Sequence, residues 1–202
     1  KMIIGRELEN VYPPINEEFG DVILEVRNLT APKAFRNINL QVRKGEVIGL
    51  AGLLGAGKTE LVQAIFGNHK VTDGEILIKG KPVKIKSPQQ AIKLGMGLVP
   101  DERRTLGLVM KFDIKDNTVL PSMKLFRKAG VFQDHKAEMK AAYEINEKMN
   151  LAYHSLWQNV KKLSGGNQQK IVIAKWMLRD TEIFLLDEPT RGIDIGAKFE
   201  IY

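Results

Sequence analysis

The sequence predicts an α/β fold with a parallel core sheet, and three observations carry that reading. Apolar runs of strand length alternate with segments of helical periodicity, the pattern of strands joined by crossover helices. A glycine-rich loop, Gly52 to Thr59, follows one apolar run, Val47-Ile48-Gly49-Leu50, read as a buried strand, and opens a helix. Between Asp101 and Leu163 the strand signal nearly vanishes, so a mainly helical insertion interrupts the alternation.

In chain order, residues 1–20 read as a linker or tail, because Tyr12-Pro13-Pro14 breaks any helix. Val22–Val26 and Ile38–Val42 read as strands, and Arg43-Lys44-Gly45-Glu46 as the turn before the run from Val47. A helix follows from Glu60 to about Phe66, stopped by Gly67-Asn68. Glu75–Ile78 is a short strand, 89–95 helical, and Met96–Val99 a strand ended by Pro100. A helix is predicted around Lys136–Met149 and another over Asn167–Arg179. Ile183–Leu186 reads as a strand buried on both faces, and Gly196–Tyr202 as a final helix.

Composition narrows the function classes. Hydrophobic residues make up 44% and charged residues 27%, as in globular domains. No apolar run approaches the ~18 residues that cross a bilayer, so any membrane service is predicted to run through a partner. Cysteine is absent, which excludes disulfides and thiolate metal sites. Net charge is +7, yet residues 1–30 hold three Lys/Arg against six Asp/Glu. The basic residues beyond are dispersed rather than gathered into an aromatic-bearing stripe, so no nucleic-acid partner is expected.

Gly52-Leu53-Leu54-Gly55-Ala56-Gly57-Lys58-Thr59 fits G-x-x-x-x-G-K-[ST], and Glu60 continues it into the helix. A triphosphate needs many donors converging at short range, so the backbone must wrap it closely. Gly52, Gly55 and Gly57 allow angles and approaches that a Cβ obstructs. The helix start adds free N–H groups and a positive dipole end. Lys58 can reach the β- and γ-phosphates, and the Thr59 hydroxyl is a hard oxygen suited to Mg2+. Further on, the apolar Ile183–Leu186 ends in Asp187-Glu188. Acids at the end of a buried strand need a cation or a proton to move. Asp187 is the expected metal ligand, and Glu188 the general base that polarises water.

Leu163-Ser164-Gly165-Gly166-Asn167 makes a second helix start with a hydroxyl and two glycines, another anion-binding surface. It resembles the LSGGQ signature of ATP-binding cassettes, and the order phosphate loop, helical insertion, signature, Asp-Glu is similar to that family's. The resemblance implies a P-loop NTPase ATP-binding cassette over 21–202, with a parallel core sheet, a small antiparallel β part and a helical insertion at about 101–165. It implies an ATPase using ATP and Mg2+ whose cassettes stack head to tail, so that Ser164, Gly165, Gly166 and Asn167 contact ATP held by another cassette. Arg191-Gly192-Ile193-Asp194 stands at the family's D-loop. Asp101 stands where most members carry a glutamine near metal and water, and is a candidate metal ligand and catalytic group.

Asp101-Glu102-Arg103-Arg104 with Gly107-Leu108, Ser164 to Lys170, and Asp187 to Gly192 resemble the second cassette of ribose, galactose and xylose type importers. Gly5-Arg6-Glu7-Leu8 looks like the end of a preceding cassette. The implied partners are a transmembrane permease and, indirectly, a sugar-binding protein, with the cassette peripheral on the cytoplasmic face of the membrane. Leu106–Met110 with Phe112 is either a docking surface for the permease or part of the insertion's own core. Phe35 is read as core rather than an adenine-stacking ring, and His69, His135 and His154 as surface or capping residues. The sequence stops before the family's switch loop, so the cassette is expected to be C-terminally incomplete. The alternative reading is a DNA-repair or translation-associated ATPase of the same family, but no long heptad tract separates Thr59 from Ser164.

Overall fold

Leu24, Val26 and Leu29 are buried on one strand, Val22–Ala31 (β1), whose alternation gives a sheet one packed face. A computed structural model describes residues 18–128 and 130–202 of this chain, so the linker expected at its start lies largely outside the described residues. The chain divides into two units. One runs up to Leu98 and resumes over Glu182–Asp187; the other comprises Val99–Thr181 and Glu188–Tyr202.

In the first unit β1 is central to a four-stranded sheet. It pairs antiparallel with Phe35–Arg43 (β2) and with Asp73–Ile78 (β3), and β3 pairs with Lys81–Val83 (β4), giving the order β2-β1-β3-β4. The register sets Leu24 opposite Ile78 and Val26 opposite Ile76, so apolar cross-strand pairs share a face. Helix Lys58–Ile65 (α1) buries Leu61, Val62, Ala64 and Ile65, and Gly67 ends its path in the left-handed region at φ 82. A Cβ on Gly67 would lie 2.8 Å from Ile85 Cγ2, so the close return of the chain also requires glycine there. Pro88–Lys93 (α2) starts on a proline whose missing N–H costs nothing in the first turn. Phe35 is buried, in line with its core assignment.

Two expectations need correction here. Val47–Leu50 is not a strand and is not buried: no ladder forms along it among the described residues, and Val47 is 93% exposed. An apolar run becomes a strand only when another edge accepts its backbone bonds. The core sheet is instead represented by one pair, Met96–Val99 (β5) with the later strand Ile183–Leu186 (β8). That later strand buries Ile183 and Leu185 but leaves Phe184 and Leu186 exposed, so only one of its faces is covered.

The second unit is mainly helical. A two-residue hairpin, Arg127–Lys128 (β6) with Phe132–Gln133 (β7), accompanies helices Ile114–Val119 (α3), His135–Lys148 (α4), Gly165–Met177 (α5) and Ile195–Ile201 (α6). Each helix begins on a capping side chain: Asp113, Asp134, Ser164 and Asp194 accept from Asp116, Ala137, Asn167 and Ala197 N–H. The core is formed by Ile114, Val119, Ala142, Val160, Ile171 and Val172. Polar side chains join it only when satisfied. Glu138, 1% exposed, meets Lys115 at 3.5 Å and accepts from Gln133 at 2.5 Å. Buried Asn117 exchanges two hydrogen bonds with the Val109 backbone. That bond pair fixes the segment Leu106–Phe112, where the two readings separate by residue. Leu108 is core at 6% exposure, whereas Leu106, Val109 and Phe112 remain open. His135 and His154 are exposed, and His69 is partly so.

Candidate functional site

The residues singled out in sequence fall into two groups, one in each unit. In the first unit, the loop from Gly52 wraps back on itself. Ala56 N–H donates to Leu53 O at 3.1 Å, and Gly55 and Gly57 hold φ of 78 and 85. Only glycine adopts such angles without strain. Gly57 has a second reason: a Cβ there would overlap the Ala34 carbonyl oxygen. At Gly52 a Cβ would come within 3.3 Å of Ala56 Cβ. Leu53 and Leu54 are 85% and 100% exposed, so their side chains contribute no grip. What the loop offers is backbone, and α1 starts at Lys58, two residues before Glu60.

Lys58 folds over this loop, its ammonium donating to Gly52 O at 2.6 Å and to Leu53 O at 3.4 Å. Those carbonyls hold the cation near the centre of the loop, where an incoming anion can compete for it. Glu60 is half-buried in the first turn of α1. Thr59 Oγ1 donates to Asp187 Oδ1 at 3.2 Å, although the two stand 128 positions apart. Asp187 is 6% exposed at the end of β8. A hydroxyl and a carboxylate brought together form a donor set of hard oxygens, which fits Mg2+ when phosphate and water supply the remaining ligands. Among the described residues no cluster of three or more His, Cys, Asp or Glu offers a metal cage.

The second group lies in the helical unit. Ser164 Oγ caps α5, accepting from Asn167 N at 3.3 Å and from its side-chain amide at 3.2 Å. Asn167 Oδ1 in turn accepts from Ala152 N, so this residue is committed to local structure as well as to the helix start. Gly165 and Gly166 are required by close approaches. A Cβ on Gly165 would lie 2.8 Å from Arg103 Nη2, and one on Gly166 would run into Ala197 Cβ of α6. Glu188 holds a left-handed backbone, φ 44, a conformation that costs a non-glycine residue energy and is shared by six other non-glycine residues among those described. Its carboxylate lies 3.6 Å from Arg191 Nε, and Arg191 Nη1 donates to Asp101 Oδ2 at 3.3 Å. One guanidinium thus stands between the two acids that were assigned water and metal.

Sequence reasoning gave Arg103 no role beyond a motif, yet its guanidinium holds two successive carbonyls of this group. Its Nη1 donates to Arg191 O at 2.9 Å and its Nη2 to Gly192 O at 3.1 Å. Burial, and next the Arg104 charge, lower its pKa. Buried Gln168 belongs here too, donating to Val160 O and Leu163 O and accepting from Arg104 Nε, which fixes the backbone just before Ser164. Backbone acceptors leave no mark in a sequence, so neither contact could be anticipated.

The comparisons with known proteins extend over the whole chain. It is 45% identical to the ribose import ATP-binding protein RbsA of Bacillus cereus over 201 residues, covering 100% of this chain and 40% of that protein. Identity to the RbsA of Corynebacterium glutamicum is also 45%, over 202 residues, 100% of this chain and 38% of that protein. The chain therefore spans about two fifths of the length of these curated relatives. In fold it is similar to a nucleotide-free ATP-binding cassette from an ABC transporter, with TM-score 0.73 and 21% identity over 90% of this chain and 74% of that one. It is equally close to a dimeric post-hydrolysis cassette bound to ADP and Pi, with TM-score 0.73 and 24% identity over 89% of this chain and 79% of that one. The profile of the ABC transporter family matches residues 35–191, from β2 through the phosphate loop and signature to Arg191, and the chain belongs to that family as an ATP-binding domain.

Proposed function

We propose that this cassette binds Mg-ATP and hydrolyses it to energise import of a monosaccharide through a transmembrane permease, from the cytoplasmic face of the membrane. The observation that carries the ATPase reading is the Thr59–Asp187 hydrogen bond, which joins the end of the glycine loop to an acid at a strand end. Support for a sugar as cargo comes from relatives named for ribose import.

In this reading the backbone of Gly52–Thr59 binds the phosphates and Lys58 leaves its two carbonyls for them. Thr59 and Asp187 would hold Mg2+, which when bound would supply positive charge to the phosphates. Glu188 draws a proton from the attacking water, which adds to the γ-phosphorus as the bond to the ADP oxygen breaks. Ser164 to Asn167 grip the nucleotide of a second cassette stacked head to tail, and that cassette returns the same contact. Asp101, held by Arg191, stays a candidate oxygen ligand and catalytic group.

The test is uptake of a radiolabelled pentose or hexose into vesicles carrying the intact ATPase with its permease and binding protein. ATP-dependent uptake that disappears with Lys58→Ala is expected. ATP hydrolysis indifferent to permease, binding protein and sugar would overturn the transport reading.

A further inference from the structure

We propose that Arg103 is a positioning residue for the nucleotide cycle, tying the Arg191–Gly192 turn to the face of Gly165 so that signature and turn meet a nucleotide as one surface. The inference rests on the cassette reading above, because only a nucleotide shared between cassettes gives that surface a task.

The grip on residue 191 is double. Asp101 takes its side chain at 3.3 Å, and Arg103, two positions later, takes its carbonyl at 2.9 Å and that of Gly192 at 3.1 Å. Two successive carbonyls presented to one group match the planar fork of a guanidinium, whereas a lysine ammonium is a single point charge on a flexible stem. Gly165 leaves the room: the guanidinium nitrogen stands 2.8 Å from where a Cβ would be. Among the described residues the partners of Arg103 are carbonyl dipoles rather than a carboxylate, and its Nε is buried without a partner. Its positive charge sits beside that of Arg104 and is offset only in part by Glu102. It adds to the positive end of the thirteen-residue α5 at the place where the signature would face a γ-phosphate. Moving the guanidinium would free the turn from the signature while leaving the glycine loop of the other unit untouched.

The experiment compares wild type, Arg103→Met and Arg103→Lys. Turnover is measured as KM and kcat in the intact ATPase, and affinity for trinitrophenyl-ATP is measured on this chain at concentrations too low for self-association. Arg103→Met should raise KM for ATP about tenfold, the loss expected for charge-assisted bonds, with affinity of the single chain within about twofold of wild type. Arg103→Lys should recover part of the KM, since an ammonium can serve one carbonyl. It carries the test if Arg103→Met does not fold, a KM above wild type by less than about tenfold then being the expected result. A lowered kcat at unchanged KM would mark a purely structural role and overturn the proposal. So would single-chain affinity falling in step with KM, or full recovery by lysine. Wild-type protein without any ATP turnover would overturn the cassette reading and this role with it.

Discussion

Thr59 Oγ1 reaches Asp187 Oδ1 at 3.2 Å, so the first turn of α1 and the end of β8 meet at a hydroxyl–carboxylate contact. Lys58 is the neighbour of this pair, and its ammonium is parked on Gly52 O and Leu53 O. If phosphate replaces those carbonyls, Lys58→Ala removes a charge-assisted contact worth ~1.5–3 kcal/mol. Calorimetry should then show Mg-ATP affinity at least about tenfold weaker. Equal affinity for both proteins would remove the loop from nucleotide binding.

Gly57 offers a prediction about folding rather than binding. Its φ of 85 and the nearby Ala34 carbonyl make alanine doubly unsuitable. Gly57→Ala should lose about 1–3 kcal/mol of stability, seen as a lower urea midpoint at unchanged slope. Gly49→Ala is the control, because a Cβ there meets nothing within 4 Å.

Buried Lys175 makes stability depend on pH. Its Nζ donates to Gly107 O, and burial pushes its pKa down to about 8 from 10.5. Below pH 8 both folded and unfolded lysine are charged, and the folded state bears the full desolvation penalty. Between about 8 and 10.5 the folded lysine is neutral while the unfolded one still binds a proton, so stability rises with pH across that window. Relative to Lys175→Met, wild type should gain about 3 kcal/mol over the window. A flat difference in unfolding free energy between pH 7.5 and 10.5 would show that Lys175 titrates normally.

Much of this architecture was legible because local chemistry and fold agree. The alternation of Val22–Val26, the glycines of the loop and the helix start at Lys58 each have a backbone reason that their own side chains state. Strand burial was less legible. Val47–Leu50 and Ile183–Leu186 both look like segments covered on two faces, but whether a face is covered depends on partners that the segment does not encode. Short α3 was missed because Lys115 and Asn117 point inward, breaking the apolar period; Lys115 is satisfied by Asp116 and Glu138, and Asn117 by the Val109 backbone. Arg103 was illegible for a different reason. Its partners are carbonyls 88 and 89 positions away, and every residue has a carbonyl.

The same contacts sharpen the chemical test. Glu188 and Asp101 both approach Arg191, so either acid could in principle serve the water once Arg191 is displaced. Glu188 is the stronger candidate, since it directly follows Asp187, the acid that meets the Thr59 hydroxyl. Glu188→Gln keeps the size and one acceptor but loses basicity, and general-base catalysis is typically worth ~10²–10⁴-fold. Single-turnover hydrolysis should fall by about that factor once any partner cassette has been disabled by its own substitution. ATP affinity should survive, because the glycine loop and Asp187 are unchanged. Asp101→Asn should cost far less, removing an ion pair with a guanidinium that is 56% exposed. If Glu188→Gln hydrolyses at the wild-type rate and Asp101→Asn does not, the base is Asp101, and the Arg191 contact becomes the one that must open before water is activated.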